Sequence, residues 1–399
     1  MASDASGITP PQNEVVRSRW DRLAVWIRND PIRLVLYVIG SLVLFLIVAA
    51  AANNLFFNPA SGFNLERLVR LSIFGLAQGS IYALVALGYT LVYGILLLIN
   101  FAHGEVFMSG AYIGFFTIMA LDGAGMLQTQ PLLSLLITMA VGVIASMSVA
   151  FVLERVAYRP LRGAPRLVPL ITAIGASITI QQIFLRLFGS ATRTYPDLNL
   201  YILPNVFQLE CSVVDGQEVC RGLDIIRGIY EVDVLGLSLR VRPLYFIVFF
   251  VAAAMMVGLW LFVKRTRTGK AMRAVAEDKK TAALMGINVD RVIVVTFLLG
   301  AALAGVAAVL FALYNRQVTP FMGFAPGIKA FTAAVLGGIG NIPGAMLGGL
   351  LLGMIESIAP SLLGIPSQLE DVVAFGMLVL ILIFRPTGIL GEVLSEKKA

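Results

Sequence analysis

Residues 71–99 read LSIFGLAQGSIYALVALGYTLVYGILLLI, 29 residues without a charge. As one helix rising about 1.5 Å per residue the stretch would be roughly 43 Å long, more than the roughly 30 Å hydrocarbon core of a bilayer. It must tilt, protrude or break, and Gly75, Gly79, Gly88 and Gly94 are its possible break points or close-packing faces. Further apolar blocks lie at 34–52, 106–121, 132–153, 167–188, 243–263, 292–313, 328–340, 344–358 and 369–384. The 399 residues are 58% hydrophobic and 13% charged, about half the roughly 25% charge of soluble domains. So few charges cannot cover that much apolar surface in water. The chain is predicted to be all-α, a polytopic transmembrane helix bundle of about 8–10 spans with broken or re-entrant helices. A soluble enzyme, coiled coil, disordered chain and secreted disulfide scaffold are excluded. The long runs also do not fit the short alternating strands of an outer-membrane barrel.

The net charge of +7 reads as orientation, because short cytoplasmic loops collect Lys and Arg; nucleic acid is not an expected partner. Residues 154–166 carry four Arg and one Glu, and residues 264–291 carry eight Lys/Arg and three acids, net +5. Both are expected in the cytoplasm. Residues 190–242 carry five Arg and seven acids, net −2, and are expected outside. Counting blocks outward from these loops puts both termini in the cytoplasm. Block 34–52 is read as an uncleaved span rather than a signal peptide, because it exceeds the usual run of about 7–15 residues.

The external segment contains CSVVDGQEVC, with Cys211 and Cys220 flanking a DG turn signal. A local disulfide is expected in an oxidising compartment, the alternative being two free thiols. In the basic loop 264–291, residues 269–285 are predicted to form one helix stopped by Gly286 as a C′ residue. It is either a solvated topology signal or a helix that docks into a cytoplasmic partner. The run INFAHGEVFMSGAY (99–112) places Asn100, His103 and Glu105 around Gly104. Such groups either line a pathway through a broken helix or meet water at the cytoplasmic surface. In FTAAVLGGIGNIPGAMLGGLLLGMIES (331–357), Gly337, Gly338 and Gly340 end a short segment and Gly344 and its neighbours suit close helix packing. Asn341 and Pro343 interrupt the helix there, which makes Asn341 a further pathway candidate. Both runs place a Gly within four residues of an Asn, a weak hint of related halves.

One His and two Cys leave little for a metal site, and no metal or cofactor is expected. No Walker A pattern occurs and no nucleophile constellation is available, so the chain is not expected to be an enzyme. Any ATP hydrolysis would belong to separate subunits.

Five segments are then informative together: GSIYALVALGYTLVYGILLLINFAHGEVFMSGAY (79–112), ERVAYRPLR (154–162), AEDKKTAALMGINVDRV (276–292), GIKAFTAAVLGGIGNIPGAMLGG (327–349) and RPTGIL (385–390). They resemble the branched-chain amino-acid ABC transporter permeases, more specifically the first of that system's two permease subunits, from about residue 68 to 391. The resemblance implies an inner-membrane importer for branched-chain or other hydrophobic amino acids, with urea, short amides or other amino acids as alternative cargo. An ion-coupled secondary transporter is the reading from another class. The implied partners are a second permease subunit, two ATPase subunits, a periplasmic binding protein and membrane lipid. Residues 269–288 match the family's ATPase-contacting loop, which makes Ala276, Glu277, Ala282, Ala283 and Gly286 coupling candidates. The implied organisation is an N-terminal tail with an extra span (1–60), a permease domain (61–391) and a C-terminal tail (392–399). The N-terminal part and the length of the external segment depart from the family's pattern.

Overall fold

The computed structural model describes residues 65–391, apart from 166, 196–200, 203–209, 215–216, 222, 225, 227, 235–236, 364–365 and 385–386; within 201–223 it describes strand backbone only. The expected N-terminal span and both tails lie outside the described residues.

Besides a four-residue turn at Met126–Thr129, the α-helices among the described residues are α1 (Leu65–Leu96), α2 (His103–Gly123), α3 (Pro131–Leu153), α4 (Leu167–Phe188), α5 (Pro243–Arg265), α6 (Arg267–Glu277), α7 (Lys279–Leu284), α8 (Val289–Asn315), α9 (Phe324–Gly337), α10 (Ile342–Leu363) and α11 (Glu370–Phe384). Seven of them, α1 to α5, α8 and α10, are long and apolar enough to cross a membrane, and α9 is a shorter apolar helix. The chain is thus a polytopic helical bundle, as its apolar blocks predicted.

The uncharged stretch 71–99 supplies the axis of the bundle. The apolar window of α1 is 89% buried within the chain, against 17% for α4 and 22% for α3 and α5. The outer helices turn Leu136, Ile171 and Phe250 outward. None of the four glycines breaks α1; it runs 32 residues to Leu96. Its glycines serve approach instead. Gly75 and Gly79 face Gly353 and Gly349 of α10, and a Cβ at Gly79 would fall 2.8 Å from the Gly349 carbonyl oxygen. Two small-xxx-small faces thus bring the backbones together where lipid gives no hydrophobic drive. Ser357 adds a hydrogen bond from its Oγ to the Leu71 carbonyl, 2.7 Å.

The chain between α9 and α10 turns through Gly338 (φ +104°) and Gly340 (φ +93°), conformations that L side chains rarely adopt. Gly337 packs on Gly344 across the hairpin. The last carbonyls of α9 would be orphans; those of Leu336 and Gly337 accept from the Ile389 and Leu390 amides, 2.8 and 3.0 Å. The RPTGIL motif therefore ends as a cap on α9.

The segment between α4 and α5 carries three antiparallel strand pairs: β2 (Tyr201–Ile202) with β5 (Leu223–Asp224), β3 (Glu210–Val214) with β4 (Gln217–Arg221), and β6 (Tyr230–Val234) with β7 (Leu237–Val241). A fourth pair, β1 (Arg193–Thr194) with β8 (Gln317–Val318), ties it to the α8–α9 connection. The DG signal sits between β3 and β4, whose register sets Cys211 opposite Cys220. Opposed residues have Cα atoms about 4.5–5.5 Å apart, within the disulfide range of about 4.4–6.8 Å. The two side chains lie outside the described part.

The helix predicted over 269–285 is two helices. Asp278 is extended (φ −152°, ψ 113°) and its carboxylate accepts from the Lys280 and Thr281 amides, so it starts α7 as an N-cap and ends α6. Gly286 stops α7 as expected: φ is +83°, its amide reaches Ala283 O, and Ile287's reaches Ala282 O. That pair of bonds is the Schellman motif.

Candidate functional site

Chain direction reverses between α1 and α2 with Leu97 at φ +58°, a left-handed conformation that costs a non-glycine residue about 1–2 kcal/mol. Strain of this kind clusters at functional positions. The loop that follows delivers Asn100, His103 and Glu105 into protein, not water: they are 2%, 3% and 1% exposed. Of the two sequence readings, the cytoplasmic-surface one is not supported. Asn100 Oδ1 accepts from Tyr158 OH, 2.8 Å. The His103 ring lies edge-on to Tyr89, 4.9 Å between centroids, and occupies the space that a side chain at Gly88 would need. Glu105 Oε1 accepts from Ser177 Oγ, 3.3 Å. His103 Nε2 and Glu105 Oε2 are buried without partners.

Gly104 permits a second helix start to meet the first. A Cβ on it would fall 2.5 Å from the Gly323 carbonyl oxygen, and Gly327 packs on its Cα. The N-termini of α2 and α9 therefore abut. The segment paired with 99–112 is GFAPGIK (323–329), not the Asn341 run, so the hint of related halves is not carried by these contacts. Asn341 itself is engaged with backbone: Nδ2 donates to Leu390 O (2.8 Å) and Oδ1 accepts from Gly344 N (3.3 Å). It caps α10 and stands apart from the other three.

A cavity of about 220 Å³ opens beside Phe311, Asn315, Gln317, Met322 and Ala325. A smaller one, about 10 Å³, lies by Tyr89, Ile99, Phe331 and Ile339. Along the chain, Gly323 lies among the residues that line the larger cavity, and Gly327 lies between those and Phe331 of the smaller one.

Sequence reasoning missed a second buried cluster. Lys329 in α9 pairs with Glu356 of α10, and its Nζ is 2.6 Å from Asp371 and 4.0 Å from Glu370 of α11. Gln78 Nε2 donates to Tyr82 OH (2.7 Å) and Glu356 Oε1 (3.3 Å), and Tyr82 OH donates to the same oxygen (3.4 Å). Glu356 Oε2 is buried without a partner. The signal was present, because an ionisable residue inside an apolar block marks function by default. Its partners emerge only when α1, α9, α10 and α11 meet. Glu356, Glu370 and Asp371 are close enough to share a metal ion, but the Lys329 ammonium already neutralises that place.

At the other end of α5, α6 buries Met272 and Val275 and α7 buries Ala282. Ala276, Glu277, Ala283 and Gly286 are exposed. So are Leu284 and Met285, at 87% and 78%, an apolar pair set among charges. Asp278 is held below the usual carboxylate range, first by the Thr281 hydroxyl and then by the two amides.

A bundle packed around buried ionisable groups, with a glycine turn between α9 and α10 and outer helices whose apolar faces point outward, is a multi-pass membrane protein of the transporter kind. The chain belongs to the family described as the branched-chain amino acid transport system permease component, whose model matches residues 71–382. It is 47% identical over 323 residues to the high-affinity branched-chain amino acid transport system permease protein BraD of Pseudomonas aeruginosa, covering 81% of this chain and 95% of that one. It is 44% identical over 327 residues to the permease LivH of Escherichia coli K12, with the same coverage. The fructose import permease FrcC of Rhizobium meliloti matches at 30% over 41% of this chain and 47% of its own. The chain is accordingly the membrane component of an ABC transport system, which implies further components, and is not itself the catalyst.

Proposed function

We propose that this chain is the permease subunit of an ATP-driven importer that moves branched-chain or other hydrophobic amino acids across the inner membrane by alternating access. The observation that carries the reading is its 47% identity to a high-affinity branched-chain amino acid permease across 81% of the chain. The closed point of the path is the contact of Gly104 with Gly323 and Gly327, flanked by His103 and Glu105. The partners are a second permease subunit against one of the apolar outer faces, two ATPase subunits and a periplasmic binding protein. Leu284 and Met285, with Ala276, Glu277, Ala283 and Gly286 around them, form the ATPase contact; Ala282 supports it from within. The basic loops 154–166 and 264–291 face the cytoplasm with both termini, and the strand-bearing segment 190–242 faces the binding protein. The division into 1–60, 61–391 and 392–399 belongs to this same reading.

The test is uptake of radiolabelled leucine into proteoliposomes holding the full complex with its binding protein. ATP-dependent uptake is expected. Uptake driven by a proton gradient without ATP, or purification without ATPase subunits, would overturn the reading. Competition by urea, short amides and other amino acids resolves the cargo.

A further inference from the structure

The motif ERVAYRPLR (154–162) follows α3, and its charge as an orientation signal does not account for the contacts its side chains make. It forms a π-helical turn at Glu154–Tyr158 and a 3-10 turn at Arg159–Leu161. A π turn inside a helix is rare and recurs at functional positions. Three of its side chains join two regions far apart in sequence. Arg162 contacts Glu154 through Nη2 and Asp290 through Nη1. Asp290 is the second residue of α8. Arg159 reaches the same carboxylate at 3.3 Å. Four residues after Glu154, Tyr158 donates to Asn100 at 2.8 Å, with its ring on Phe297 at 5.3 Å. Asn100 O in turn accepts from the His103 amide, 3.0 Å, at the start of α2.

The opposite end of this chain of contacts is equally defined. Residues 285–289 separate α7 from Asp290; among them are the Gly286 stop and Asn288, whose Oδ1 accepts from the Arg291 amide at 2.9 Å. Glu154 is fully buried and Arg162 partly so, at 0% and 18% exposed, while Asp290 at the outer end of the link is 58% exposed.

We propose that Tyr158, Glu154 and Arg162 are positioning residues that join the mouth of the broken helix at Asn100 to α7 and the start of α8, so that a movement imposed on α6 and α7 is passed to α2. The inference rests on the reading of α6 and α7 as the ATPase contact. The π turn lies at the centre of this link, and rigid shifts of packed helices are an established means of transmission. Lying between two sites is not in itself coupling, so the test measures coupling directly.

The full complex in proteoliposomes is assayed for cargo taken up per ATP hydrolysed. Tyr158→Phe removes one hydroxyl and keeps the ring; Asn100→Leu removes its acceptor. Each is expected to lower uptake per ATP about five-fold or more, the lower end of typical coupling, with the ATPase subunits retained. The double variant should be no worse than either single one, since both break the same bond. Arg162→Lys, which keeps the charge but loses the rigid planar fork that sets Nη1 and Nη2 on separate carboxylates, should fall between the unaltered complex and the single variants. An unchanged ratio in both single variants, effects that add in the double, or lower yield with an unchanged ratio would each overturn the inference and leave a purely structural motif. Failure of the unaltered complex to couple uptake to ATP would instead overturn the importer reading, and the inference with it.

Discussion

Lys329→Met should be among the most damaging single changes in the bundle, and the cluster itself says why. The Lys329 side chain is 7% exposed and Glu356 0%. Without the ammonium, Glu356 keeps Gln78 and Tyr82 at 3.3 and 3.4 Å on one oxygen and nothing on the other. Removing one partner of a buried pair costs about 3–5 kcal/mol, because the remaining charge is stranded. The lower end applies here, since Asp371 is 52% exposed and brings water near. Lys329→Met with Glu356→Met removes both charges and should recover most of that loss, as apolar replacements of buried pairs are often neutral or better. Glu356→Gln keeps an acceptor for Tyr82 and leaves Lys329 with Asp371, so its cost should be about 1–3 kcal/mol. Denaturant midpoints of the complex in mild detergent give the order: Lys329→Met lowest, Glu356→Gln intermediate, the double variant nearest the unaltered protein. A double variant as unstable as Lys329→Met alone would refute the argument from a stranded charge.

Four further outcomes are expected. Gly79→Ala puts a methyl 2.8 Å from Gly349 O and 2.9 Å from Leu350 Cα, and should destabilise by about 1–3 kcal/mol; Gly123→Ala, with nothing within 4 Å, should not move the melting curve. Leu284→Glu with Met285→Glu should weaken capture of ATPase subunits about ten-fold or more in pull-downs while membrane insertion is unchanged. Because folding holds the Asp278 carboxyl below its ordinary range, its help to α7 is complete above the unfolded-state pKa and fades as pH falls through the folded one. Hydrogen-exchange protection over 280–285 should therefore drop on acidification, and be low at every pH in Asp278→Ala. Non-reducing mass spectrometry of protein from an oxidising compartment should find Cys211 and Cys220 in one cross-linked peptide, lost on reduction.

Much of the architecture was readable because its cause is local. A run of apolar residues long enough to cross a bilayer is a helix there, since every backbone group must bond within its own segment. Gly286 and the DG between Cys211 and Cys220 were readable for the same reason: stops and turns depend on a few neighbouring residues. The coupling loop shows the limit. Its helical composition was plain, but Asp278 was read as one charge among many, and its role as a cap divides the helix in two. The glycines of α1 show a second limit, because a missing side chain signals either a bend or an approach, and only the opposing helix distinguishes them.

The candidate site was legible in its types and not in its pairings. Asn100, His103 and Glu105 were found as polar groups in an apolar setting, and their burial follows from a loop that turns back into the protein. Asn341 looked alike in sequence yet spends its hydrogen bonds on a helix cap and on Leu390. Lys329 carried the same signal as His103 but gained meaning only beside Glu356, 27 residues away along the chain.

By itself the sequence determined that this protein lies in a membrane, how its helices are spaced, which loops are basic and which family's motifs it carries. These are sums and patterns over neighbouring residues, set by the thickness of the bilayer and the cost of unbonded backbone. The tertiary structure decided which glycine meets which, where the two helix starts abut and which charges neutralise one another. Those depend on contacts between residues up to 286 positions apart, as Leu71 and Ser357 are. No local pattern encodes such pairings, because they arise only once packing has excluded both water and lipid.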